Sequence, residues 1–173
     1  YRKTVTMDAL LRPILSKEWD AANEAGTVKY VNQQFNAYNK ATFSSVPSSN
    51  SAEGFGSSTT YDGLQRVVRQ TNTANGDVST SYEAGNIIKT TNGRNYTTST
   101  SYLAYGSPAT ELVSRIVQPE GVDTSIDYNL LNLPISISQG GITELRRYNN
   151  TGEVCLIKRP ETGIKVMTYN ALG

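Results

Sequence analysis

Residues 81–88 read Ser81-Tyr82-Glu83-Ala84-Gly85-Asn86-Ile87-Ile88: a polar residue, an aromatic, an acid, then Asn four places after the aromatic and an apolar pair. The same order returns along the chain. An anchor, usually followed by an acidic or amide residue and with Gly or Asn four places on, recurs at Met7, Phe35, Tyr61, Tyr82, Tyr102, Tyr128, Tyr148 and Tyr169. From Tyr61 onward the steps are 21, 20, 26, 20 and 21 residues. Such a period marks a repeat array, in which each copy is one small supersecondary unit.

The residue types say what one copy is. Directly after the anchor stand Asp8, Asn36, Asp62, Asn129, Asn149 and Asn170. Asp and Asn bond their side chains to backbone N–H groups two or more residues on, which starts a turn. Four places after the anchor stand Asn39, Asn86, Gly106, Asn132, Gly152 and Gly173, residues that tolerate the left-handed backbone where a turn closes through a bulge. Leu11 and Gln65 break that rule and predict a corner of different shape. Pro13, Pro108 and Pro134, six places after their anchors, stiffen the exit and withhold a ladder donor. An apolar stretch follows (Val67-Val68, Ile87-Ile88, Ile135-Ser136-Ile137, Val154-Cys155-Leu156-Ile157), then a second turn at Asn75-Gly76, Asn92-Gly93, 119–121, Gly140-Gly141 and 160–163. One repeat is therefore strand, turn, strand, turn, and the fold class is all-β: tandem hairpins in a long, curved antiparallel meander sheet. The polar residue before each anchor puts the aromatic on one face of its strand and the polar side chain on the other. Stacked from copy to copy, each anchor is worth about 0.5–1.5 kcal/mol beyond its area burial.

Composition agrees with thin β layers. Only 37% of the chain is hydrophobic and 18% charged, and eleven Tyr outnumber three Phe and one Trp. The net charge is +1, and no more than two basic residues are adjacent, which argues against a nucleic-acid footprint. No apolar run approaches the length of a membrane span. Cys155 stands alone in an apolar run, which excludes an internal disulfide or multi-cysteine metal site and reads as a small buried hydrophobe.

Residues 1–43 hold two degenerate repeats, 44–60 a Ser- and Gly-rich loop or linker, and 61–173 the regular array, which stops inside its last copy. Ile14 to Trp19 reads as strand from the register, against a short helix over Ser16 to Asn23. Thr27 to Val31 alternates like a half-buried strand. The motif running into both ends leads us to expect a segment of a larger protein.

Tyr61-Asp62-Gly63-Leu64-Gln65-Arg66-Val67, Tyr148-Asn149-Asn150-Thr151-Gly152-Glu153-Val154 and Tyr169-Asn170-Ala171-Leu172-Gly173 resemble the tyrosine-aspartate repeats of the Rhs family. Met7-Asp8-Ala9-Leu10-Leu11-Arg12-Pro13 is similar, with Met for Tyr and Leu for Gly. The resemblance spans nearly the whole chain; Glu83, Leu103 and the long spacer before Tyr128 depart from it. It implies a structural module of the kind found in polymorphic Rhs toxins, insecticidal toxin complexes and teneurins. There the repeats form a sheet that spirals into a hollow shell, which in bacterial members encloses a C-terminal toxic domain. It also implies an exported bacterial protein, secreted or at the cell surface. Nothing here matches the family's self-cleaving aspartate segment.

Reaction chemistry is hard to place. There is no His, which removes histidine triads, histidine-ligated zinc and histidine acid–base work. Gly54-Phe55-Gly56 lacks the third Gly and the strand-to-helix context of a phosphate loop. Asp123 and Asp127 could in principle form a glycosidase pair, but at alternate positions of a strand they read as solvated charge. The expected assignment is a non-enzyme with no cofactor, whose partners are the rest of its own parent chain and, through open strand edges, other copies. The alternative is an adhesive module binding glycan or protein through Tyr38, Tyr96 and Tyr105, which lie off the anchor positions.

Overall fold

The computed structural model describes residues 1–73 and 76–169. Asn75, Asn170 and Gly173, named above as turn residues, lie outside them. Fifteen strands occur among the described residues, in two units. The first, 1–80 with 91–95, holds β1 (Arg2–Met7), β2 (Pro13–Trp19), a single helical turn α1 (Glu24–Thr27), β3 (Lys29–Phe35), β4 (Ala41–Ser45), β5 (Gly56–Tyr61) and β6 (Val67–Asn72). β7 (Gly76–Glu83) and β8 (Ile87–Thr91) cross the division. The second unit holds β9 (Thr97–Tyr102), β10 (Val113–Val117), β11 (Asp123–Tyr128), β12 (Pro134–Gln139), β13 (Ile142–Tyr148), β14 (Val154–Arg159) and β15 (Gly163–Val166).

In each unit, strands adjacent in sequence pair antiparallel, so each unit is a meander. The fold is all-β. Register is set by alternation: Ile126 lies opposite Ile137, Arg146 opposite Ile157, and Ser136 opposite Leu145.

Residues 14–19 are strand, as the repeat register requires, and the helix alternative gives way. The helical turn comes later, where Asn23 Oδ1 accepts the N–H of Gly26 at 3.2 Å. The Ser-rich segment is narrower than 44–60 and is not a linker. Ser44 and Ser45 belong to β4 and Gly56 opens β5, which leaves a loop over 46–55. That loop folds back on β3: Tyr30 and Ser48 exchange backbone hydrogen bonds of 2.7 and 3.1 Å, and Asn32 Nδ2 donates to the Ser51 carbonyl at 2.8 Å. Open edge groups of β3 are satisfied this way, and the division between units falls at residue 80 instead.

Neither unit builds a hydrophobic core. Among the described residues no apolar side chain is buried, and the buried polar residue is Ser45, whose Oγ accepts the Asn32 N–H at 2.9 Å. Cys155, expected to be buried, is only half-buried, because no second layer covers its strand. The accessible surface is 11870 Å². A folded monomer of this mass exposes roughly 8,300 Å², so the sheet leaves open far more than a protein–protein interface normally covers.

Candidate functional site

The repeated corners are the most elaborate local structure in the molecule. At five of them the ladder shifts register immediately before the anchor, and the anchor pairs with the residue six places on: Met7 with Pro13, Phe35 with Ala41, Tyr61 with Val67, Tyr128 with Pro134, Tyr148 with Val154. The residue after the anchor, here called the corner residue, closes the turn twice over. Its N–H donates to the carbonyl four residues on, and its own carbonyl accepts the N–H three residues on. For Asn149 these bonds run to Glu153 (2.9 Å) and from Gly152 (3.1 Å), with the same pair at Asp8, Asn36, Asp62 and Asn129.

The corner side chain adds a second lock. Asp62 Oδ1 accepts the N–H groups of Leu64 and Arg66, both at 2.9 Å. Asp8, Asn36, Asn129 and Asn149 each accept the corresponding two N–H groups. Apolar side chains offer no acceptor and hydroxyls make these bonds more weakly, which favours Asp and Asn at this place.

Among the described residues, every anchor-plus-four position has positive φ: Leu11 59°, Asn39 63°, Gln65 61°, Asn86 59°, Gly106 85°, Asn132 59° and Gly152 85°. The expectation of a different corner at Leu11 and Gln65 is therefore not met. Five-residue closure forces the left-handed region there whatever the side chain, at a cost of roughly 1–2 kcal/mol for a residue with Cβ. Other expectations do change. Leu103 replaces the corner residue, and its N–H bonds to the Leu112 carbonyl at 2.8 Å, so Gly106 and Pro108 sit in a loop over 103–112 rather than at a tight corner. Glu83 opens a corner with two consecutive left-handed residues, Gly85 and Asn86; the Asn86 side chain crosses to the Ala109 carbonyl at 2.6 Å. At 92–95 it is Asn95, not Gly93, that takes positive φ.

One pairing in these corners is missing from the sequence reading although its signal is in plain view. Where the corner residue is Asp, the residue four on is Arg: Arg12 Nε donates to Asp8 Oδ2 at 2.6 Å and Arg66 Nε to Asp62 Oδ2 at 2.8 Å. Where it is Asn149, the partner is Glu153, whose Oε2 accepts from Asn149 Nδ2 at 2.7 Å. The Arg12 guanidinium holds the Asp8 carboxyl below its ordinary range, with the Arg12 N–H adding to it. At Asp62 the backbone N–H of Arg66 does most of the lowering, ahead of the guanidinium. The Asn149 amide lowers Glu153.

The tyrosines link one corner to the next. Tyr61 Oη donates to the Ala41 carbonyl at 2.8 Å, Tyr128 to Val113 at 2.9 Å, Tyr148 to Pro134 at 2.7 Å and Tyr169 to Val154 at 2.8 Å. Every acceptor is the residue paired with the preceding anchor: Ala41 with Phe35, Val113 with Tyr102, Pro134 with Tyr128, Val154 with Tyr148. The rings, half-buried at Tyr61, Tyr128 and Tyr148 and exposed at Tyr169, thus reach the neighbouring hairpin with the phenol on its backbone. Burial raises the Tyr128 phenol above its ordinary pKa. Phe35 lacks a hydroxyl; the Arg12 guanidinium stands over its ring at 5.0 Å and donates to the Asn36 carbonyl at 2.9 Å.

No reaction centre is assembled from the remaining candidates. Asp123 forms an ion pair with Arg115, which lowers its carboxyl, and Asp127 is exposed. Among the described residues no three acidic or sulfur side chains cluster as metal ligands, and no helix is long and apolar enough to cross a membrane. Tyr38, Tyr96 and Tyr105 are exposed. Tyr38 joins Asn36, Thr60, Tyr61 and Gln65 around an open groove of about 500 Å³.

No protein-family model matches the sequence, and no curated protein matches it. Among solved structures, one titled "Crystal Structure of TcdB2-TccC3" is similar over 91% of this chain, at a TM-score of 0.60 and 12% identity. The similar region takes in 9% of that chain. The likeness is one of fold.

Proposed function

We propose that this chain is a non-catalytic structural segment of a larger Rhs-type protein, a stretch of the wall of a β-shell that encloses a C-terminal toxin or effector domain. The observation that carries this reading is the chain of phenol-to-carbonyl bonds. At Tyr61, Tyr128, Tyr148 and Tyr169, side chains that could have converged on a ligand are spent instead on holding one hairpin to the one before it. The open surface points the same way, since a sheet with two uncovered faces needs another layer against it. Its partners are then the rest of its own chain, and its place is outside the producing cell or on its surface.

Hydrogen exchange would test the reading. In the full-length protein, β11 to β14 should exchange far more slowly than in this chain alone, and electron microscopy should show a hollow particle with density inside. Equal exchange in both, together with a particle lacking an interior, would sink it.

The groove beside Tyr38 favours a second reading, an adhesive module for glycans. A glycan array decides that: binding lost in Tyr38→Ala supports it, and no binding at millimolar sugar removes it.

A further inference from the structure

Three strands at the end of the second unit carry an unusual grid on one face. Residues directly opposite across an antiparallel ladder share a face. Leu145 lies opposite Lys158, and Lys158 opposite Ile164; Arg147 lies opposite Leu156, and Leu156 opposite Val166. The face opposite Glu144 and Arg146 therefore reads apolar, cation, apolar in one row and cation, apolar, apolar in the next. Most of it is open: Leu145 is 42% exposed, Ile164 62% and Val166 68%, with Leu156 half-buried between them. Arg147 and Lys158 are exposed too.

Charge pairing is what this grid lacks. Most basic residues on strands lie against an acid: Lys3 with Glu18, Lys17 with Glu24, Arg69 with Asp77, Lys89 with Glu83, Arg115 with Asp123, Arg146 and Arg159 with Glu144. Arg147 and Lys158 form no ion pair among the described residues. Arg2, Lys29 and Lys165 form none there either, but they stand on three separate strands, whereas Arg147 and Lys158 are neighbours on one face. In the row of Lys158, the register runs back through Leu145 and Ser136 to Asp127. That places the acid three strands away, roughly 14 Å, beyond the screening length at physiological salt.

We infer that this face binds an acidic, apolar polypeptide segment. Arg147 and Lys158 sit on a diagonal of the ladder, roughly 7–8 Å apart with their Cβ atoms somewhat closer. Acidic residues two apart on an extended chain stand about 6.6–6.8 Å apart on one side, so both can be met at once. Apolar residues of the segment then cover Leu145, Leu156, Ile164 and Val166. Two cations are too few for an anionic membrane, where basic clusters of about 4–8 residues are used, and too few for a nucleic-acid backbone. A protein segment fits the ratio of apolar to charged groups. This inference does not depend on the shell reading.

Fluorescence anisotropy with a short labelled peptide alternating Leu and Glu, titrated with the whole 173-residue chain, tests it. Saturable binding is expected. Arg147→Glu with Lys158→Glu should weaken it at least about tenfold, and raising salt from about 0.05 to about 0.5 M should weaken it several-fold. Lys165→Glu, which changes a cation on the other face, should leave it within about twofold. Circular dichroism checks that the strands survive; if the double reversal unfolds, Lys158→Gln should still weaken binding about threefold, and no loss there overturns the proposal. Equal binding of a Leu–Lys peptide would overturn it, and tighter binding to phosphatidylserine vesicles than to the peptide would assign the face to membranes instead.

Discussion

The Tyr148 hydroxyl donates to the backbone carbonyl of Pro134 at 2.7 Å, reaching from the end of one hairpin to the start of the strand beside it. Pro134 is also the residue that pairs with Tyr128, the anchor one repeat earlier. A single phenol therefore couples two copies of the motif. In a repeat array each copy is stable largely through its neighbours, so these bonds act where the array is weakest.

Tyr148→Phe keeps the ring and removes only that bond. A loss of about 1 kcal/mol in unfolding free energy is expected, the usual net worth of one hydrogen bond. Tyr148→Leu should lose more, because ring contacts go as well. Urea melts of the two variants distinguish the contributions; an unchanged midpoint for the Phe variant would show the phenol to be idle.

Leu11 is a large apolar residue at φ 59°, four-fifths exposed. Leu11→Asn should stabilise the chain by up to about 1 kcal/mol, since Asn enters the left-handed region with less strain and no apolar burial is lost. Thermal unfolding provides the measurement, and destabilisation would mean that Leu11 makes contacts worth more than its strain.

Gly56 behaves differently from the corner glycines. A Cβ placed there would sit 2.2 Å from the Ser44 carbonyl oxygen and 2.7 Å from the Ser45 Cα. These are backbone atoms of the paired strand, which cannot swing aside as a side chain does, so Gly56→Ala should cost at least about 3 kcal/mol and part β4 from β5. Hydrogen exchange at Ser45 and Ser58 would report the separation; near-normal protection would refute the clash.

Acid should loosen the corners. The folded pKa values of Asp8 and Asp62 lie below their ordinary range, so their contribution is fully present above the unfolded value, about 3.9, and is lost as pH falls through the folded values. Glu153, Asp77 and Asp123 are shifted the same way and share that window. Asp8→Asn with Asp62→Asn keeps the Oδ1 acceptor but removes both ion pairs. Its stability should be lower near neutral pH and fall less steeply as the pH drops below about 4. Parallel curves for variant and parent would rule the two aspartates out as the source.

Much of the corner geometry was legible in the residues. Asp62 and Asn149 announce themselves because a short side chain carrying an acceptor has few uses directly before a turn. Leu11 and Gln65 misled, since side-chain type reports conformational preference, whereas ring closure imposed the conformation. The loop over 103–112 was signalled by the long step to Tyr128, yet Gly106 and Pro108 still looked like corner residues because their offsets matched by coincidence of spacing. The Arg12, Arg66 and Glu153 partners stand at a fixed offset of four from Asp8, Asp62 and Asn149 and were readable there, whereas Asn36 and Asn129 have Lys40 and Leu133 at that offset and no such partner was to be read.

What the amino-acid order decided alone is where most of the chain's tight turns fall, which residue caps them, and hence the all-β repeat. Those bonds join neighbours in sequence, so an Asp or Asn directly after the anchor is enough to mark them. Only the tertiary structure decided what each phenol holds and which face is left open. The acceptors at Ala41, Val113, Pro134 and Val154 are backbone carbonyls. A carbonyl is the same on every residue, so nothing in the sequence marks which one a distant hydroxyl will find until strand pairing brings the two together.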